Sequence, residues 1–332
     1  MMGPSGDGSD GPYPDLRSAF MLTILAMLAA GFTGIAFIDF GLLAAVGMGQ
    51  AIGVGAVATM GAKRVAEPQA ERLGLRALDL KMIPTILCLA PAILLVSELD
   101  NFAVDWSAES SVIEEIDRDA EGRSVDDYDA NNSDAEYDRP DTNDENPSAS
   151  ETTSRLIDPD DPWSLLSAFV VMVGIAPVVE EFLFRGVIQQ GLVARMGLLR
   201  GVTMVAILWT LLRPAPIAGI PRFLTAAVAS FGLGWALGMV RIASGSVLGS
   251  MLLAASWAAI GLSALALEGR MDLPGLNIER THLPWSITIA SLFVVGWAGR
   301  EIFREAERRY NAGDGAPPKD RPGTKALFGD RE

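Results

Sequence analysis

The chain has 332 residues, half of them hydrophobic, with one cysteine, one histidine and a net charge of −15. A positive mean hydropathy with this composition reads as a protein that crosses a membrane several times, and argues against a soluble enzyme. Cys88 alone cannot form an intramolecular disulfide, and His282 alone, with no H-E-x-x-H in the chain, excludes a zincin-type centre. No metal or cofactor site is expected.

The acidity is local. Between Asp105 and Asp161 lie 20 Asp/Glu and 4 Arg, a net −16, which leaves the remainder at +1. Residues 1–16 are rich in Gly, Pro, Ser and Asp and read as a disordered leader, without the basic start or cleavage site of a secretory signal. Residues 17–106 read as an N-terminal group of membrane helices, with spans at about 19–38, 40–60 and 82–96. The second is rich in Gly and Ala, which lets helices approach closely. Residues 107–160 repeat Asp, Asn, Ser and Glu, cannot bury a core, and are expected to be an acidic disordered loop. Residues 161–299 form the main membrane core, with spans from about 163, at 202–212, 223–240, 246–267 and 284–298. Residues 300–332 continue as a polar helix and a charged tail.

The expectation is an all-α polytopic protein of about eight transmembrane helices around an intramembrane cavity. Lys and Arg concentrate at one end: Lys63, Arg64, Arg72, Arg76, Lys81, Arg195, Arg200, Arg241 and 300–309. That bias predicts a multi-pass protein of the inner (plasma) membrane, with both termini cytoplasmic and the acidic loop outside.

The fourth span ends in V-V-E-E-F-L-F-R-G-V, from Val178 to Val187. A charge at mid-bilayer costs roughly 2.5–3.5 kcal/mol on insertion scales, so such residues face protein and are functional candidates. Glu181 and Arg185 are four apart on one helical face, while Glu180 points about 100° away. Glu181 can then be neutralised by Arg185, leaving Glu180 as a candidate general base. The alternative is an ion pair that only fixes helix orientation.

The E-E-x-x-x-R-G pattern, with G-L-R-A-L-D-L-K before the third span and G-S-V-L-G-S-M-L-L in the seventh, resembles the CAAX-processing membrane endopeptidases (the CPBP, or abortive-infection and bacteriocin-immunity-type, family). The resemblance implies eight membrane helices around a conical cavity. It also implies that the first glutamate and a histidine from an F-x-x-x-H helix activate water, while an H-x-x-x-N or H-x-x-x-D motif holds the oxyanion. Glu180, Glu181 and Arg185 match the first motif. The second falls on Trp209 to Arg213, with Arg213 in the histidine's place, and the third falls on Ala254 and Ala258. A chain with one histidine cannot supply both.

Arginine donates hydrogen bonds but does not accept them, so Arg213 is expected to pair with Glu180 rather than position water. Losing one oxyanion donor costs on the order of 10²–10³ in rate in other enzymes. The preferred expectation is a degenerate member that binds a hydrophobic or lipidated segment, or a membrane partner, with little proteolysis. The alternatives are an active intramembrane endopeptidase using Glu180 as base, and a transporter or proton relay. Expected partners are membrane lipid and a lipidated or hydrophobic peptide or membrane protein; nothing points to nucleic acid.

Overall fold

A computed structural model describes residues 12–106, 157–213, 220–278 and 281–313. The described residues are helical, with no strand among them. The acidic segment lies outside them as far as residue 156, as do residues 1–11 and the tail beyond residue 313.

Eight long helical segments account for the predicted spans: α1 (Leu16–Ala36), α2 (Leu42–Ala62), α3 (Leu80–Trp106), α4 (Pro162–Met196), α5 (Leu198–Leu211), α6 (Ile220–Ser244), α7 (Val247–Ala266) and α8 (Trp285–Ala312). All but α5 are long and apolar enough to cross a membrane. The protein is therefore a polytopic, all-α membrane protein. Starts are set locally. Asp15 accepts from the Ser18 N–H at α1, and Asp161 accepts from the Trp163 and Ser164 N–H groups at α4, where Pro162 also fits the first turn. Ser246 plays the same part at α7.

α4 is the axis of the bundle. Every residue from Leu183 to Val193 is buried, as expected of a helix packed on all sides. Around it pack α2, α5, α6 and α7, while α6 also packs against α8. Large side chains such as Phe20, Phe32, Phe223, Phe293 and Trp297 point outward, the surface a hydrocarbon solvent demands. The close approach predicted for α2 occurs against α1, where a Cβ on Gly53 would lie 2.6 Å from the backbone of Ala29.

Two spans differ from their expected limits. The third does not end near residue 96: a turn at Cys88–Pro91 interrupts it and it runs on to Trp106. Its polar residues are used there. Ser97 and Asn101 donate to the Gly275 carbonyl, and Glu98 accepts from the Leu283 N–H. The fifth begins earlier, at Leu198, and its 14 residues reach only about 21 Å, less than the roughly 30 Å of a hydrocarbon core.

Candidate active site

The motif glutamates end an α-helical turn, Ala176–Glu181, between two π-wound stretches, Phe169–Ile175 and Phe182–Ile188, the second of which carries Arg185. Such wide turns are uncommon and occur often at functional positions. The two glutamates face different surroundings.

Glu181 and Arg185 form an ion pair of 2.8 Å with side chains only 1% and 0% exposed. Arg185 also donates from Nη2 to the Gly234 carbonyl at 2.9 Å, and one turn on Gln189 donates to the Gly238 carbonyl at 2.8 Å. Gly238 helps make this register possible, because a Cβ there would come within 3.2 Å of Gln189 Oε1. Glu181 Oε2 and Arg185 Nε are buried without hydrogen-bond partners.

Glu180 is more open, with 18% of its side chain exposed. Its Oε2 accepts from Arg213 Nη2 at 2.8 Å, and its Oε1 accepts from Gln50 Nε2 of α2 at 3.1 Å. Arg213 in turn lies 4.1 Å from the ring centroid of Trp209, whose ring is also 5.2 Å from the Arg185 guanidinium carbon. The short α5 thus ends with its arginine against the motif carboxylate. Gln50 is the member that sequence reasoning missed. An amide inside a Gly/Ala-rich span is itself a signal, since it needs a partner there.

Glu180, Glu181, Arg185 and Arg213 come together; Ala254 and Ala258 bring no polar group to them. Both alanines lie half-buried on α7, which packs against the Ala176–Glu181 turn. His282 is held elsewhere, with Nδ1 2.9 Å from Glu98 and Nε2 2.8 Å from Asp105.

Residues 162–260 match the family model of type II CAAX prenyl endopeptidase Rce1-like proteins. This Rce1-like segment runs from the start of α4 into α7 and contains the glutamate motif, Arg213, Ala254 and Ala258. The molecule is a multi-pass membrane protein with a CAAX protease-like segment at residues 162–260. No curated protein and no solved structure matches the chain.

An apolar cavity of about 280 Å³ opens between α3, α6, α7 and α8. Leu89, Leu99, Leu233, Trp257 and Val295 line it, and neither motif glutamate does. Trp257 is fixed by donating its indole N–H to the Leu89 carbonyl at 3.1 Å.

Proposed function

We propose that the chain is a degenerate member of the CAAX-endopeptidase type, which holds a hydrophobic or lipidated segment, or a membrane partner, and hydrolyses little. The observation that carries this reading is the closure of Arg213 onto Glu180. Both carboxylate oxygens are engaged by donors, Arg213 and Gln50. A base paired with a permanent cation is a weaker acceptor of a proton from water. Ala254 and Ala258 add no donor for a developing oxyanion. The apolar cavity between α3, α6, α7 and α8 supports binding of a hydrocarbon-bearing ligand. The basic residues gathered at one end support a cytoplasmic placement of that end in the plasma membrane.

A second reading, residual endopeptidase activity, has one observation in its favour. The Arg213 side chain is 43% exposed, so its pair with Glu180 is free to open when a substrate enters. Cleavage of prenylated and unprenylated peptides by the purified protein separates the two. Under the first reading wild type and Glu180→Gln are equally inactive, and the double variant Arg213→His/Ala254→His gains hydrolysis. Hydrolysis by wild type that disappears in Glu180→Gln establishes the second.

A further inference from the structure

Arg241, at the end of α6, is a buried guanidinium without a carboxylate partner among the described residues. The residue is 3% exposed. Its Nη2 donates to the Arg72 carbonyl at 3.3 Å, while its Nε is buried and unbonded. The charge that acts on it is a second cation, Arg76. A third, Arg72, also has a buried Nε with no partner.

The surroundings are built rather than accidental. The guanidinium lies flat against Gly74, where an added Cβ would fall 2.1 Å from Arg241 Nη2. Gly74 has φ +71°, the left-handed region that glycine favours, and closes the short helix Gln69–Leu73. The α6–α7 turn locks onto the same loop. The Val247 N–H donates to the Gly74 carbonyl at 3.0 Å, and Ser246 Oγ donates to the Arg76 carbonyl at 2.6 Å. Arg309 of α8 fixes the turn from the other side through the Ser244 carbonyl at 3.0 Å.

Three arginines are thus gathered at the basic end of the bundle. Glu71 pairs at 3.2 Å with Arg76 through side chains about half exposed, a pair that an incoming anion readily displaces. A buried cation with idle donors demands an anion, and arginine forks suit phosphate oxygens. Basic pockets between membrane helices are where anionic headgroups bind.

We propose that Arg241, Arg72 and Arg76 form a binding site for a phosphate group, supplied by the headgroup of an anionic lipid or by free phosphate. The site stands apart from Glu180 and does not depend on whether proteolysis survives.

Native mass spectrometry of the full-length protein with phosphatidylglycerol and phosphatidylcholine tests it, together with thermal unfolding in detergent with inorganic phosphate. Wild type is expected to retain phosphatidylglycerol over phosphatidylcholine by about fivefold or more, the scale of one basic residue at an anionic surface. Arg241→Gln and Arg76→Gln lose that preference. Arg304→Gln, an exposed arginine at the same end, keeps it. Arg76 is itself about half exposed, so its variant folds and decides the matter if Arg241→Gln does not. Stabilisation of wild type but not of Arg76→Gln by inorganic phosphate assigns the site to free phosphate. Retention of phosphatidylglycerol without that effect assigns it to lipid. Equal retention of the two lipids by wild type with no phosphate effect overturns the site. So does retention unchanged in Arg76→Gln, or lost equally in Arg304→Gln.

Discussion

Glu180 and Glu181 are adjacent in sequence, carry the same chemistry and each pair with an arginine at 2.8 Å, yet they occupy opposite situations. Glu181 and Arg185 are walled in, and Arg185 ties α4 to α6 through the Gly234 carbonyl. Glu180 and Arg213 are partly open and join α4 to the residues just past α5. The difference teaches that a charged motif inside a membrane protein can be divided into architecture and chemistry. The buried pair orients the helices, and the open pair is the one a ligand can disturb.

The largest way to break this contrast is to remove one partner of the closed pair. Arg185→Ala leaves Glu181 buried and uncompensated and is expected to cost about 3–5 kcal/mol, measured as loss of folded protein in detergent during denaturant unfolding. Replacing both partners with apolar residues of similar volume, as in Glu181→Leu/Arg185→Met, is expected to recover most of that loss. Failure to recover would move Glu181 from architecture to chemistry.

Closed and open surroundings also separate the glycines. Gly53→Ala pushes a methyl into the Ala29 backbone and is expected to destabilise by about 1–3 kcal/mol. Gly232→Ala meets nothing within 4 Å and is expected to be neutral or slightly stabilising, read in the same thermal melts. On the open side, Arg213→Ala is expected to change stability by about 1 kcal/mol or less, because its pair is exposed. Its effect is to be sought in ligand binding.

The smallest expected effect lies at His282, outside the spans. Hydrogen bonds to Asp105 and Glu98 hold its pKa above the ordinary 6.5, against a smaller opposing effect of burial. A raised folded pKa means that the clamp's contribution is complete below about 6.5 and lost as pH rises through the folded value. Melting temperature is therefore expected to fall modestly on raising the pH across that window. His282→Gln flattens the slope. A wild-type slope of opposite sign removes the clamp.

Much of the helical order was legible because apolar runs of membrane length are hard to mistake. α1, α2, α6 and α7 begin and end within a few residues of their expected limits. α3 was not, since Ser97, Glu98 and Asn101 read as a span's polar end until their partners in the 275–283 loop are known. Within the site, Glu181 and Arg185 follow from helical spacing. Gln50 does not, because its partner is 130 residues away and only packing brings α2 to α4. The cradle of Arg241 was equally hidden. In sequence that residue is one more positive charge at a helix end, and only burial distinguishes it from the others.

The π-wound stretch at Phe182–Ile188 has a consequence for how this chain tolerates change in length. A wide turn holds one residue more than the α-helix around it, so it is a reserve of slack in an otherwise rigid rod. Deleting a single residue there lets the wide turn tighten to α-helix, and the residues beyond keep their orientation. Gln189 would keep the Gly238 carbonyl, and Gln190 and Arg195 would keep the Tyr13 and Pro12 carbonyls that anchor the start of the bundle. The motif carboxylates, lying before the slack, would stay where they are. A loss of one residue at this place is thus absorbed locally, sparing both the carboxylates before it and the contacts beyond it.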